Sequence, residues 1–133
     1  MQGPVLVQDW VTLKGPGASG ADAVTFYPHR SRWLWTGEAR RVALTVEITQ
    51  LTGATTAPAL RVETAACETG PWIEVESYVA PGSSALILRR EPGDTAEKQM
   101  LGYLRWAIEE DSGGSGAWTA CFRLVAVLEE GVN

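Results

Sequence analysis

Apolar and polar residues alternate with a period of two along much of this chain. Over residues 41–51, Val42, Leu44, Val46 and Ile48 alternate with Ala43, Thr45, Glu47 and Thr49, which gives an extended strand one apolar and one mostly polar face. Residues 60–66 repeat the pattern, with Leu60 and Val62 inward and Arg61 and Glu63 outward. Further strands are predicted over residues 24–27, 72–79 and 85–88. Residues 103–108 give another, with Leu104, Trp106 and Ile108 on one face. The last, 118–129, carries Phe122, Leu124, Ala126 and Leu128 on one face and Cys121, Val125 and Val127 on the other. A strand apolar on both faces is central in its sheet or covered by a partner.

Turn residues punctuate these segments. Gly53 to Pro58, Gly70-Pro71, Pro81-Gly82 and the Gly/Ser-rich stretch 110–116 separate successive strands. A short apolar run, Val5-Leu6-Val7, ends near Trp10 and is followed by Gly15-Pro16-Gly17-Ala18-Ser19-Gly20, so residues 1–23 read as an N-terminal arm and flexible loop. Residues 91–102 admit two readings. One is a two-turn helix capped by Asp94 with Glu97 and stopped by Gly102; the other is a polar loop. About eight short strands with turn signals between them predict an all-β fold, a sandwich, jelly roll or barrel, with a jelly-roll-like antiparallel β-sandwich the favoured form. The 133 residues suit a single domain, 1–133. Its core is expected to include Val46, Ile48, Val62, Trp106, Phe122 and Leu124.

Composition narrows the function classes. Hydrophobic residues make up 45% and charged residues 20%, a globular balance. A net charge of −5 argues against phosphate-mediated binding of nucleic acid, which needs a basic surface. Apolar runs are too short for a membrane-spanning helix, and Met1-Gln2-Gly3-Pro4 lacks the layout of a signal peptide, so folding in a cytoplasm is expected. Cys67, Cys121 and His29 are too few and too scattered for a zinc site. In a cytoplasmic chain the two cysteines read as buried thiols, with a Cys67–Cys121 disulfide as the alternative.

Candidate chemistry is sparse. The one histidine, His29, sits beside Pro28 in a loop, and no Gly-x-Ser-x-Gly elbow supplies a nucleophile. Glu74 with Glu76, Glu109 with Glu110 and Asp111, and Glu129 with Glu130 are carboxylate pairs of the kind glycosidases use. They read instead as a solvated strand face and strand ends. Gly113-Gly114-Ser115-Gly116 lacks the lysine and strand-to-helix context of a phosphate loop. No enzyme, cofactor or metal is therefore expected. Of the six Trp, Trp72, Trp106 and Trp118 alternate with polar neighbours and read as core or sheet-rim residues. Trp33 and Trp35, at i and i+2, project from one face of an extended segment. They are candidate aromatics for stacking on sugar rings or for an interface, and the flanking Arg30, Arg32, Arg40 and Arg41 leave an anionic ligand or a protein partner as further alternatives. The competing reading has one or both rings filling the core.

From about residue 35 to 129 the chain resembles small virion accessory proteins of tailed bacteriophages and their prophage relatives. The resemblance begins with Thr36-Gly37-Glu38-Ala39-Arg40-Arg41-Val42-Ala43-Leu44-Thr45-Val46-Glu47-Ile48-Thr49. It continues through Gly53, Leu60-Arg61-Val62-Glu63-Thr64, Trp72-Ile73-Glu74-Val75 and Leu104-Arg105-Trp106 to the closing strand, Thr119 to Leu128. Cys67-Glu68-Thr69-Gly70-Pro71 stands where the pattern has Ser-x-Asp-Gly. The resemblance implies a capsid-decorating (cement) or tail-associated subunit that contacts a major capsid protein or other virion protein, located in the virion, with a homotrimer as the expected oligomer. A carbohydrate-binding β-sandwich module using Trp33 and Trp35 is the alternative. The doubly apolar last strand and the six Trp independently predict assembly, because surplus apolar surface left in water marks a contact.

Overall fold

A computed structural model describes residues 4–15, 25–53, 58–91, 98–110 and 117–130. Among the described residues there are ten strands: β1 (Val5–Gly15), β2 (Thr25–Phe26), β3 (Leu34–Trp35), β4 (Ala39–Gly53), β5 (Ala59–Ala65), β6 (Ile73–Tyr78), β7 (Gly82–Arg89), β8 (Lys98–Gln99), β9 (Tyr103–Glu109) and β10 (Trp118–Glu130). They form two sheets. Sheet A has the order β1-β10-β4-β7-β8, and sheet B the order β2-β9-β5-β6, with β3 also pairing β9. All pairings are antiparallel except that of β7 with β8.

β2 and β3 lie along the same edge of β9 at its two ends, Thr25 opposite Glu109 and Trp35 opposite Tyr103. They act as one broken strand. With the two-residue β8 set aside, eight strands remain. The first pairs with the last, the second with the seventh, the third with the sixth and the fourth with the fifth. This is the jelly-roll connectivity, a long ribbon folded back on itself into two packed sheets.

The predicted inward positions fill the space between the sheets. Val42, Leu44, Val46 and Ile48 of β4 and Phe122, Leu124, Ala126 and Leu128 of β10 meet Leu60, Val62, Leu104, Trp106 and Ile108 from sheet B. Phe122 is completely buried and meets the Trp106 ring edge-on, centroids 5.0 Å apart at 74°. Trp106 brings a polar N–H into this core. β1 is irregular on both sides of Gln8, and the buried Gln8 Oε1 accepts the indole N–H at 3.0 Å. Trp118 is also buried, packed so closely on Gly15 that a Cβ there would sit 2.3 Å from the indole.

Three predicted elements differ. The apolar run at the N-terminus does not stop near Trp10: Val5–Gly15 is a full edge strand paired with β10, so this part of the expected arm belongs to sheet A. Val11 and Leu13 alternating with Thr12 and Lys14 carry the strand on to Gly15. Residues 1–3 and 16–23 of that segment fall outside the described residues. The end of the candidate helix over 91–102 is not helical, since Lys98–Gln99 pairs in parallel with Leu88 and Arg89. Asp94 and Glu97, the turn at 54–57 and the loop at 111–116 also lie outside the described residues. Finally, β7 begins at Gly82 rather than Ala85, its first residues extending the ladder on β4.

Candidate functional site

The outer face of sheet B is not the solvated face that alternation suggests. Arg61 and Glu63 on β5 and Arg105 on β9 point outward as expected, yet Glu63 is 5% and Arg105 8% exposed. Their cover comes from distant segments. The Arg105 guanidinium carbon lies 3.8 Å from the ring centroids of Tyr27 and Trp72 and 5.2 Å from that of Trp33. Trp33 and Trp72 meet edge-on at 4.8 Å. Arg105 Nε donates to Glu63 Oε1 at 2.9 Å, and Arg61 Nη2 to Glu63 Oε2 at 3.0 Å. Arg61 Nη1 also donates to Glu109 at 3.0 Å. A buried guanidinium is tolerable only with such partners, which here are one carboxylate and the faces of the surrounding rings.

Local features bring the aromatics to this face. A 3-10 turn over Arg30–Arg32 is capped by His29, whose side chain accepts from Ser31 N at 3.2 Å. It delivers Trp33 above β9, where the indole N–H donates to Pro28 O at 3.1 Å. β3 then pairs with β9, placing Leu34 opposite Leu104 and Trp35 opposite Tyr103. Trp72 follows the turn at Gly70, whose φ of +84° requires glycine, and the Gly70-Pro71 peptide is cis. Arg30 bridges to Glu68 in that turn at 3.3 Å.

Trp33 and Trp35 thus share one face, as their spacing predicts, but in different states. Trp33 is half-buried in the Arg105 cluster. Trp35 is 57% exposed, its ring 4.8 Å from Tyr103. Trp72, read as core or sheet rim, is half-buried over Arg105, whereas Trp106 and Trp118 are core. Sequence reading missed Tyr27, Glu63 and Arg105. No local signal marks them, because Tyr27, Trp33 and Trp72 are distant from Arg105 along the chain and only the fold brings them together.

The outer face of sheet A has a different character. Cross-strand register aligns Val127, Ala43 and Ile87 in one row and Leu6, Val125, Thr45 and Ala85 in the next. Leu6 is 53% exposed. An ion pair bounds this band at each end, Arg41–Glu129 on one side and Arg123–Glu47 at 2.8 Å on the other. Beyond the latter, Arg123 lies 5.0 Å from the exposed Trp10 ring.

The cysteines do not pair. Cys67 follows β5 in sheet B and is exposed, contrary to the buried thiol expected; Cys121 is half-buried on the outer face of sheet A. The Thr69 hydroxyl, 3.3 Å from Cys67 Sγ, holds that thiol below its ordinary value. Thr12 and Thr49 lower the Cys121 thiol in the same way. Burial, with Glu76 nearby, raises the Tyr78 phenol. A cleft of about 560 Å³ is lined by Gly37, Glu38, Arg40, Arg89, Arg90 and Glu91. Arg90 is tied there to Ala39 O, Gly37 O and Thr36 Oγ1. Among the described residues no group of three or more His, Cys, Asp or Glu is placed to hold a metal ion.

No protein-family model matches the chain, and no curated protein matches it. Among solved structures, a chain from a study describing Bacillus endospore appendages as a family of disulfide-linked pili aligns over 97% of this chain and 93% of its own, at 18% identity and a TM-score of 0.41. A likeness of that size carries no assignment of role. The site's own chemistry has two parts: an apolar band framed by ion pairs on sheet A, and a rigid aromatic and charged face on sheet B.

Proposed function

We propose that this chain is a non-catalytic structural subunit that assembles through the outer face of sheet A. The apolar band across β1, β10, β4 and β7 is the observation that carries the reading. Leu6, Val125, Val127, Ala43, Ala85 and Ile87 contribute nothing to the core of their own domain, and contiguous apolar surface of this kind marks a contact. A second copy of the chain is the occupant favoured by charge. Although the chain carries −5 overall, the acids at the two ends of the band are paired, Glu129 with Arg41 in a row that also holds Arg89 and Glu47 with Arg123, so two such faces approach without repulsion between bare carboxylates. A two-fold contact laying band on band buries the patch of both copies and leaves no sticky end.

The finer reading is a capsid-decorating subunit of a phage or phage-like particle, made in the host cytoplasm and carried in the virion. It is supported by the sequence resemblance and by the jelly-roll connectivity, an architecture that recurs in viral capsid domains among others. Electron microscopy and quantitative mass spectrometry of particles purified from the producing cells test it. The protein is expected on the shell in a fixed copy number per particle, and its absence from purified particles refutes the virion reading.

A further inference from the structure

The outer face of sheet B has one feature that neither the core nor the sheet A contact accounts for, the exposed indole of Trp35. A Trp exposed to 57% is normally a mobile side chain, but this one is seated. Its six-membered ring lies over Gly102, where an added Cβ would come within 2.7 Å of Cζ3, and its Nε1 edge lies over Gly37, 3.6 Å from where a Cβ would stand. The shelf is fixed from below. Buried Thr36, the next residue, donates to Gly102 O through both its backbone N–H, at 2.9 Å, and its hydroxyl, at 2.9 Å. Thr64 supports the same turn, accepting from Leu101 N at 2.7 Å and donating to Tyr103 O at 2.8 Å. One face of the indole therefore rests on backbone while the other looks into solvent, with Tyr103 tilted at 49° beside it.

We propose that Trp35 is the stacking platform of a binding site for neutral carbohydrate. Charge selects this ligand class. Arg30 is held by Glu68, Arg61 by Glu63, Glu74 and Glu109, and Arg105 by Glu63, so these guanidiniums are already engaged and the face presents none of the three to an anionic ligand. What it does offer is a fixed apolar plane edged by dipolar groups. A sugar ring has the complementary form, an apolar C–H face surrounded by hydroxyls that donate and accept. Trp33 is not a second platform, because its ring is taken up by Trp72 and Arg105 and its N–H by Pro28 O. The site is thus a single indole with Tyr103 as side wall, suited to one sugar unit of a longer chain. An apolar protein partner is the competing occupant, and the apolar band suited to one lies on the other sheet.

Native electrophoresis in gels cast with soluble β-glucan, xylan, mannan, galactomannan or amylopectin tests the proposal, followed by calorimetric titration with oligosaccharides of any that retard the protein. The variants are Trp35→Ala, Gly102→Ala and Val79→Ala. Gly102→Ala keeps the indole but lifts it from its shelf; the obstructing atom is the far end of a side chain, so the domain can yield and fold. Val79 is exposed beyond the end of β6 whose ladder reaches Ile108, the end of β9 away from Trp35. The expected result is retardation of wild type by at least one polysaccharide and a loss of about tenfold in affinity for Trp35→Ala, the weight of one aromatic contact. Gly102→Ala should lose affinity as well, and Val79→Ala should match wild type. Failure of wild type to bind any of the polysaccharides overturns the proposal, as does full binding by Trp35→Ala or Gly102→Ala.

Discussion

Replacing Glu63 with Ala isolates the claim that the Glu63–Arg105 pair on the outer face of sheet B is closed to water. Glu63 accepts from Arg105 Nε at 2.9 Å and from Arg61 Nη2 at 3.0 Å, and the side chains of Glu63 and Arg105 are only 6% and 8% exposed. The substitution leaves the Arg105 charge beneath Tyr27, Trp33 and Trp72 without its carboxylate. Removing one member of a buried pair costs about 3–5 kcal/mol. The three rings remain and favour the cation, which places the expectation at the lower end, about 3 kcal/mol. For a domain of this length that corresponds to a fall in Tm of about 10 °C. Glu68→Ala is the internal contrast, since it removes an ion pair to Arg30 whose side chains are 69% and 48% exposed. It should cost at most about 1 kcal/mol. A double replacement, Glu63→Leu with Arg105→Leu, should recover most of the loss, because the cost lies in the orphaned charge. Urea denaturation followed by tryptophan fluorescence measures all three. A Glu63→Ala cost no larger than that of Glu68→Ala would mean that water reaches the pair and that the aromatic cover is open.

Phe122→Ala should cost about 3–5 kcal/mol by the same assay, for the lost burial and the cavity left against Trp106; an unchanged melting temperature would contradict its central place. Gly15→Ala should destabilise by about 1–3 kcal/mol, because the added methyl meets the buried Trp118 indole, and a neutral result would show that β1 can shift away. Cys67 should be alkylated by iodoacetamide near neutral pH faster than the half-buried Cys121. Thr69→Ala should slow that reaction several-fold by raising the thiol's pKa and so lowering the thiolate fraction; peptide mapping by mass spectrometry reads both.

Period-two alternation made the inner faces legible. Val42 to Ile48, Leu60 with Val62, Leu104 to Ile108 and Phe122 to Leu128 each line the core as their spacing indicates. Alternation specifies which face a residue takes but not what returns to cover it. Arg61, Glu63 and Arg105 therefore read as solvated, although Tyr27, Trp33 and Trp72 come back over them from other parts of the chain. Gln8 was illegible for a related reason: strand irregularity turns a polar residue inward, where the Trp106 N–H requires an acceptor. The two-residue β8 has no periodicity to detect. The apolar band on sheet A was half legible. Val125 and Val127 stood out in the last strand, but Ala43, Ala85 and Ile87 join them only through cross-strand register, which requires the topology.

Light scattering coupled to size-exclusion chromatography tests the central claim, that the outer face of sheet A assembles copies of this chain. At micromolar concentration the wild type should show at least twice the monomer mass of 14.3 kDa. Val125→Glu with Val127→Glu, placing charge in the middle of the band while leaving the core untouched, should return it to 14.3 kDa with an unchanged circular dichroism spectrum. A wild-type mass of 14.3 kDa that persists on tenfold concentration would contradict the account.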